Sequence, residues 1–364
     1  MRIAYVSLHW PRTYNSGVGK KIHSQMSAWR AMGHRVRLFM HTSQYAPRSD
    51  LIEAEVFPYT IRGRLRTELS RIQAVHAMLK AIQKYKPDMI YLRWGIYVYP
   101  AHRLMRIAPV VEEINTNDQA QHEQLGMLYN LYNRLTRGVF LRRMHGLVAV
   151  SKELANSPAF ASFRKPTIVI ANGVDLASIE PLPAPDNETP HLFFIATPGY
   201  SWHGVDKLVA LAQMYPDLSV HVVGYDHINE VEHLPANVYV HGYLSSDEYV
   251  KLLRQSDVAV STLALHRKAM QEASPLKTRE CLAYGLPTVI AYTDTDLDQA
   301  TFDFLLKIPN KEDNIQTHAQ AIREFAYRMR GRRADRECLK KHIDANEKEA
   351  TRLAFFEELL KGPA

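Results

Sequence analysis

The stretch EASPLKTRECLAYGLP (residues 272–287) holds two glutamates, Glu272 and Glu280, eight positions apart on either side of a helix start. Ser274 is a favoured N-cap residue and Pro275 suits the first helical position, so the sequence predicts a short helix that begins there. The glycine and proline near the end of the stretch stop this helix. The pattern therefore places one carboxylate before the helix and one inside it.

The predicted helix start combines groups that recognise the parts of a nucleotide sugar. Its free backbone N–H groups and positive dipole end bind phosphate, and Lys277 and Arg279 add positive charge. The carboxylate of Glu280 accepts two hydrogen bonds side by side, which suits the vicinal diol of a ribose. Glu272 is placed to meet hydroxyls on the other side of the phosphates. The spacing alone, however, favours a capped surface helix with ion pairs.

Outward from this stretch, short apolar runs alternate with longer amphipathic segments along the whole chain. Strands are expected at residues 2–8, 35–41, 89–94, 109–114, 147–151, 167–171, 192–197, 218–224, 238–243, 258–263 and 288–292. Helices are expected at residues 18–32, 66–85, 119–143, 204–214, 246–255 and 275–284. This alternation predicts an α/β fold with two Rossmann-like doubly wound domains facing across a cleft. Ligands bind such sheets beyond the carboxyl ends of the strands.

A proline-rich segment divides the chain. LPAPDNETP (182–190) contains three prolines and reads as a linker. We therefore expect a first domain over residues 1–180, a linker over 181–190, and a second domain over 191–364 that ends in a charged helical tail.

Composition limits the classes of function. The chain has 364 residues and a net charge of +7, but Lys and Arg outnumber Asp and Glu by 14 within residues 1–175. The sequence shows no zinc-finger spacing or recognition-helix pattern, so we do not expect nucleic acid as a partner. Cys281 and Cys338 are expected to be free thiols. No signal peptide precedes the first strand-like run, so we expect a cytoplasmic protein.

Six segments in order resemble the retaining GT-B glycosyltransferases of family 4 (glycosyl transferases group 1). They are NSGVGKKIHSQMSAWRAMGHRVRLFMHT, PDMIYLRW, LRRMHGLVAVSKEL with ANGVDLASIEP, PGYSWHGVDKLVAL with PDLSVHVVG, VYVHGYLSSDEYVKLLRQSDVAVS, and the glutamate stretch. These enzymes add sugars to surface glycans and glycolipids. The resemblance implies that the first domain binds the acceptor and the second binds the nucleotide sugar.

The resemblance also implies roles for individual residues. Glu280 matches the glutamate that binds the ribose, and Glu272 matches the one that contacts the donor sugar. The remaining donor-binding positions are the backbone that holds the diphosphate (Ala273, Ser274, Leu276), the first glycine loop (Gly17, Gly19) and the place where the base rests (Tyr243, Leu244).

The sequence departs from the family pattern at three places. Ser16 replaces the first glycine of the usual pair, and Asn115 stands where a histidine touches the donor sugar, so Glu113 and Asn115 are expected to share its task. His203 occupies the position of the lysine that clamps the diphosphate, and the arginine paired with that lysine is absent. The cations available to replace this clamp are Lys207, Lys277 and Arg279.

These features together predict a metal-independent, retaining hexosyl-type transferase without a cofactor. It would move a sugar from a nucleoside diphosphate to a hydroxyl of a glycan or lipid-linked acceptor in cell-surface polysaccharide or glycolipid synthesis. The pattern Asp294-Thr295-Asp296 resembles a metal-binding DxD, but a turn is expected there. Two alternatives remain open, a non-hydrolysing nucleotide-sugar epimerase and a catalytically silent scaffold that binds sugar nucleotides.

A basic segment of the first domain suggests a second partner. TIRGRLRTELSRIQ (60–73) holds four arginines and one glutamate. On a helix, Arg64, Arg71 and their neighbours can share a face with Leu65, Leu69 and Ile72 and form a basic amphipathic surface. We therefore expect the protein to bind, as a peripheral protein, to the anionic inner face of a membrane.

Overall fold

The computed structural model describes residues 1–8, 17–43, 54–93, 95–119, 127–229 and 231–362. Ser16, Trp94 and residues 120–126 of the helix expected over 119–143 lie outside the described residues. Within this part of the chain the protein forms two compact units. The first unit comprises residues 1–171 and 345–364, and the second comprises residues 172–344.

The first unit is built on a parallel seven-stranded sheet of order β3-β2-β1-β4-β5-β6-β7. Its strands are β1 (Arg2–Ser7), β2 (Arg35–Thr42), β3 (Ala54–Pro58), β4 (Met89–Arg93), β5 (Val110–Ile114), β6 (Gly146–Ala149) and β7 (Thr167–Val169). Its helices are α1 (Gly17–Ala31), α2 (Arg64–Tyr85), α3 (Met127–Leu141), α4 (Lys152–Asn156), α5 (Pro158–Ala161) and, from the end of the chain, α11 (Ala345–Lys361).

The second unit repeats this architecture with a parallel six-stranded sheet of order β10-β9-β8-β11-β13-β15. Its strands are β8 (His191–Ile195), β9 (Ser219–Val223), β10 (Val238–Val240), β11 (Val258–Val260), β13 (Thr288–Ile290) and β15 (Leu305–Lys307), and a separate parallel pair joins β12 (Glu272–Ala273) to β14 (Thr293–Asp294). Its helices are α6 (Val205–Met214), α7 (Ser246–Gln255), α8 (Leu276–Ala283), α9 (Asn314–Met329) and α10 (Lys340–Ile343).

The predicted α/β fold class, with parallel sheets and a helical C-terminal region, is confirmed. The strands read as continuous apolar runs because helices cover a parallel sheet on both faces. In β1, for example, every residue after Arg2 is buried. These apolar runs therefore gave the clearest indication in the sequence of a parallel sheet.

The two units divide the chain at different places from the expected boundaries. The first unit ends at residue 171, so the proline-rich segment 182–190 lies within the second unit. Helix α11, expected as a tail of the second domain, packs on the first unit instead. It buries Leu353 and Phe356 in the core beside Trp29, and its Glu349 accepts a hydrogen bond of 2.8 Å from the Trp29 indole. Burial of these apolar side chains explains why α11 returns to the first unit.

Candidate functional site

The helix expected after Glu272 forms, but it begins one residue later than predicted. Helix α8 starts at Leu276, Pro275 is its N-cap residue, and no side chain caps this end among the described residues. The hydroxyl of Ser274 instead accepts hydrogen bonds from the Asn172 N–H at 2.8 Å and from Arg279 at 3.0 Å. The first N–H groups of α8 therefore have no side-chain partner, which suits an anion.

Arg279 does not present its charge to a ligand, contrary to the prediction that it contacts the donor. Its side chain is fully buried and makes two hydrogen bonds to Asp294, at 2.6 and 2.7 Å. It also donates to Asp296 at 3.2 Å and to the carbonyl of Asn172 at 3.1 Å. Because burial would lower the pKa of this guanidinium but Asp294 and Asp296 outweigh it, the pKa is raised. Arg279 therefore holds the loop before α8 in place.

The same contacts account for the DxD-like pattern. Both carboxylates of that pattern bind Arg279, and the Asp294 carboxylate also accepts the backbone N–H of Leu297 at 3.2 Å. This is the expected turn. Within the described ranges, no group of three or more His, Cys, Asp or Glu side chains is arranged to hold a metal ion.

Lys277 lies at the start of α8 next to His203. Its ammonium group donates to the carbonyl of Ile195 at 3.0 Å and lies 3.4 Å from Nδ1 of His203. Burial lowers the pKa of Lys277 to about 8, and burial with the nearby charges of Lys277 and Lys268 lowers the pKa of His203 to about 3. His203 is therefore neutral at pH 7. A hydrogen bond from the ammonium group to Nδ1 requires the tautomer that carries its ring proton on Nε2.

Gly204 allows His203 to stand in this position. His203 ends a 3-10 helix over Ser201–His203, and Gly204 then adopts a φ of +74° before α6 begins. A Cβ atom at Gly204 would lie 2.9 Å from Cβ of Leu263. Both the backbone angle and the close approach therefore require glycine here.

Lys207, like Arg279, was predicted to contact the nucleotide sugar but binds other residues of the protein instead. It is 5% exposed, and its ammonium group donates to the carbonyls of Lys311 and Glu312 and, at 3.1 Å, to the side chain of Asn314. These bonds fix the start of α9. Of the cations expected to replace the diphosphate clamp, only Lys277 remains beside the start of α8.

The predicted donor contacts around α8 lie in one neighbourhood of the second unit. Glu272 and Ala273 form β12, directly before α8, and the side chain of Glu272 is buried. Glu280 is half-buried on α8, four residues after Leu276. Because residues four positions apart lie on the same side of a helix, Glu280 lies on the face of α8 that also carries Leu276.

Tyr243 and Leu244, expected near the base, lie in the loop between β10 and α7. The Tyr243 ring is 74% exposed, whereas Leu244 packs against the core cluster beneath it. The loop therefore presents one aromatic face to solvent.

An aromatic platform beside His203 was not predicted. The rings of Tyr200 and Trp202 stack with centroids 4.4 Å apart, and the ammonium group of Lys268 lies 4.7 Å from the Trp202 ring centre. In the sequence, the only indication was GYSWHG, in which two aromatic residues stand two positions apart shortly before a glycine.

In the first unit, Glu113 is the centre of a buried ionic cluster. Its carboxylate is fully buried, lies 2.9 Å from the Lys21 ammonium and 3.0 Å from the Arg93 guanidinium, and accepts the Tyr91 hydroxyl at 2.8 Å. Burial would raise its pKa, but the positive charges of Lys21, Arg93 and Arg352 outweigh burial and hold the pKa of Glu113 well below its usual range. Glu113 thus positions its neighbours.

Asn115 follows β5 at the carboxyl edge of this sheet and bridges the same cluster. Its amide donates to Glu113 at 3.0 Å, and its carbonyl oxygen accepts from Lys21 at 2.9 Å. Gly17 begins α1 and Gly19 is buried in its first turn. Lys21, which burial shifts to a pKa of about 8, was not among the predicted residues. In the sequence, the only indication of a role for Lys21 was the pair of lysines directly after the glycine loop.

Comparisons with known proteins agree with this architecture. Residues 15–178 match the family model described as Glycosyltransferase Family 4. No match was found among curated proteins.

Solved structures share the fold over the whole chain. Sucrose-phosphate synthase from Thermosynechococcus elongatus is 14% identical with a TM-score of 0.70, covering 100% of both chains. An alpha-glucosyltransferase in complex with UDP-glucose and DNA containing an abasic site is 13% identical with a TM-score of 0.65, covering 98% of this chain and 99% of that one. The lipopolysaccharide outer core galactosyltransferase WaaB is 11% identical with a TM-score of 0.65, covering 98% of this chain and 100% of that one.

At these identities the solved structures establish the fold, and the family match adds a resemblance to glycosyltransferases over the first part of the chain. Residues 15–178 are thus similar to Glycosyltransferase Family 4, and the whole chain shares the GT-B fold of the solved glycosyltransferase structures.

Proposed function

We propose that this protein is a glycosyltransferase that moves a hexose-type sugar, with retention, from a nucleoside diphosphate to a hydroxyl of a glycan or lipid-linked acceptor. The observation that carries the proposal is the start of α8. It combines a helix terminus without a side-chain cap, the Lys277 ammonium group, and the glutamates Glu272 and Glu280 on either side.

In this proposal the diphosphate binds the N–H groups of α8, and Lys277 takes the role of the family's clamp. Departure of the nucleoside diphosphate leaves negative charge, and a fixed dipole and cation in place before the reaction stabilise that charge. Neutral His203 adds an Nε2–H donor without adding charge. These groups supply the electrostatic stabilisation, so the proposed reaction needs no metal ion and no cofactor.

The remaining groups of the second unit select the nucleoside and the sugar. Glu280 would accept two hydrogen bonds from the ribose diol, and the exposed Tyr243 ring would lie against the base. Glu272 would bind hydroxyls of the transferred sugar. The UDP-glucose bound by one similar structure makes UDP-sugars the first donors to test.

The polar group at the carboxyl edge of the first sheet is proposed to bind sugar hydroxyls. Asn115 and Lys21 hold complementary polar atoms there, and Glu113 fixes both of them. Rigid side chains of this kind orient a nucleophilic hydroxyl at little entropic cost. Asn115 and Glu113 would thus share the task of the histidine that the family usually has.

A direct test uses a panel of UDP-, GDP- and ADP-sugars with and without short glycan or lipid acceptors. Release of the nucleoside diphosphate that depends on the acceptor supports transfer. If NMR shows the same anomeric configuration in the product as in the donor, the transfer is retaining. Interconversion of donors without an acceptor would instead indicate an epimerase. Binding of donors in calorimetry without any turnover would indicate a silent scaffold.

The first unit also carries an exposed apolar surface, here called the α2–α3 surface. On it, Leu65 is 83% exposed, Met127 is 82% exposed and Leu135 is 71% exposed. A groove of about 670 Å³ joins the two helices and is lined by Ile61, Gly63, Arg64, Thr67, Glu68, Arg71, Ile96, Leu128 and Tyr132. No helix in the part of the chain that the structure describes is long and apolar enough to cross a membrane.

Apolar side chains among arginines suit the interface of an anionic bilayer. Leu65 and Leu69 stand one turn apart, and the exposed arginines Arg62, Arg64 and Arg66 interleave with them. Each cation near an anionic leaflet contributes roughly 1 kcal/mol to binding. We therefore include peripheral binding to the inner face of a membrane in the proposed function, where a lipid-linked acceptor of cell-surface glycan synthesis would be found.

A further inference from the structure

A second concentration of positive charge lies at the opposite edge of the first sheet, where its strands begin. A cavity of about 840 Å³ opens there, here called the basic cavity. It is lined by Arg2, Arg30, His34, Arg35, Val36, Arg37, Glu55, Lys80, Ala81, Lys84 and Tyr85. Six of these residues carry a guanidinium or ammonium group, and only Glu55 carries a carboxylate.

The arginines gather around one tyrosine. The Arg37 guanidinium lies 4.9 Å from the centre of the Tyr85 ring, and the Tyr85 hydroxyl donates to the carbonyl of Arg35 at 3.0 Å. Arg2, Arg30 and Arg35 line the same cavity as Arg37 and Tyr85. Burial raises the pKa of Tyr85, and the charges of these four arginines oppose the rise.

The one carboxylate of the lining makes only a solvent-screened ion pair. Glu55 lies 3.8 Å from Arg37, and both side chains are about half exposed, so solvent screens the pair. Asp88 accepts the backbone N–H of Arg2 at 2.6 Å, and Glu357 lies near His34. In the described part of the chain, no ion pair involves the side chains of Lys80 and Lys84.

Helix dipoles explain only part of the arrangement. Arg30 and Lys84 stand in the last turns of α1 and α2, where cations stabilise a helix terminus. Arg2, Arg35 and Arg37 come from strands, which have no comparable dipole. Arg35 and Arg37 are both exposed on either side of the buried Val36, so they share one face of β2. Like charges in a concave site raise the local potential and attract anions.

We propose that the basic cavity binds a compact compound with two or more phosphate groups. Arginine forks bind phosphate through paired hydrogen bonds, lysines add point charges, and Tyr85 offers a flat wall. The volume lies in the range of small-molecule sites. Because the site is concave, it favours a small polyanion over the flat contact that a nucleic acid or a bilayer needs.

The basic cavity is separate from the proposed reaction groups of its own unit. Lys21 and Arg30 are nine residues apart on α1, which corresponds to about 13 Å along the helix axis. The proposed donor contacts belong to the second unit. A ligand in the basic cavity would therefore be a regulator or a second substrate, and the inference goes beyond the proposed function.

Calorimetric titration of the full chain with tripolyphosphate tests the proposal. Tripolyphosphate also binds a diphosphate site, so the titration is made on the Lys277→Ala variant. In this background Lys80→Ala with Lys84→Ala should weaken binding at least tenfold. Both lysines are exposed, so the fold should be unaffected, and thermal unfolding verifies this. The matched control, Lys340→Ala with Lys341→Ala, removes the same charge from two exposed lysines on α10 and should leave binding unchanged.

Three outcomes would overturn the proposal. Tripolyphosphate affinity could be the same with and without Lys80 and Lys84, or the control pair could weaken it equally, which would indicate unspecific attraction. A short DNA duplex or a vesicle with phosphorylated headgroups could bind more tightly than tripolyphosphate and lose that binding in the Lys80 and Lys84 variant. Nucleoside diphosphate binding to the wild type at the Lys277 site is measured in parallel, so failure of one proposal is visible apart from the other.

Discussion

Two cations in the first turn of α8, Lys277 and Arg279, should respond to the same substitution in different ways. Lys277→Met removes the ammonium group beside the helix start, whereas Arg279→Met removes the partner of Asp294, which is fully buried. The first change should weaken nucleoside diphosphate binding and leave the fold stable. The second should destabilise the fold.

The sizes follow from the contacts. A charge-assisted hydrogen bond to phosphate contributes about 1.5–3 kcal/mol, so Lys277→Met should weaken diphosphate binding roughly 10- to 150-fold and monophosphate binding less. Its loss of the bond to Ile195 should change the free energy of unfolding by about 1 kcal/mol or less, because a buried charge is removed as well. Arg279→Met leaves the Asp294 carboxylate buried without a counter-charge, which costs about 3–5 kcal/mol.

Calorimetry with nucleoside di- and monophosphate measures the first effect, and urea denaturation followed by circular dichroism measures the second. Asp294→Asn serves as a control, because it leaves buried Arg279 with only Asp296 as a charged partner and should also destabilise the fold. Diphosphate affinity unchanged in Lys277→Met would refute the assignment. An Arg279→Met protein that is as stable as the wild type but no longer binds diphosphate would make Arg279 the clamp.

Three further expectations concern other sites. Glu280→Gln should weaken nucleotide binding by about 1–3 kcal/mol in calorimetry, since an amide offers one acceptor where the ribose diol needs two, and Glu358→Gln on the exposed face of α11 should have no effect. Since the pKa of Glu113 is held below its usual 4.5, its stabilisation is complete above that pH and is lost as the pH falls. Glu113→Gln should therefore destabilise the protein by about 3–5 kcal/mol in urea at pH 7, and a difference that did not shrink below about pH 4.5 would contradict the ion cluster. In co-sedimentation, the protein should bind anionic vesicles, bind neutral ones weakly and dissociate in high salt, because exposed charges are screened over roughly 10 Å at 0.1 M. Leu65→Ser with Leu69→Ser should reduce that binding. Equal binding to anionic and neutral vesicles would show that the arginines of the α2–α3 surface are not the cause of membrane binding.

The order of strands and helices could be predicted from the sequence because these signals are local. Buried parallel strands are short apolar runs, and the helices between them have their own periodicity. The helix after Glu272 was placed within one residue at each end, since a proline precedes it and a glycine follows it. The positions of both glutamates relative to that helix follow directly from this local pattern.

The partner of each charged side chain could not be predicted. Lys207, Lys277 and Arg279 look equivalent as cations near a phosphate site, but Lys207 bonds Asn314, 107 positions away, and Arg279 bonds Asp294 across a turn. Ser274 has the residue type of an N-cap, but Asn172 and Arg279 bind its hydroxyl instead.

The sequence by itself thus determined the fold class, the place of the helix start and the residue types around it. Tertiary structure decided which cation remains beside that helix, that Glu113 holds a buried ion cluster, and that the last helix belongs to the first unit. The reason is the range of the interactions. Helix and strand patterns depend on residues a few positions apart, whereas contacts such as Trp29 with Glu349, 320 positions apart, form only when the packed core brings distant segments together.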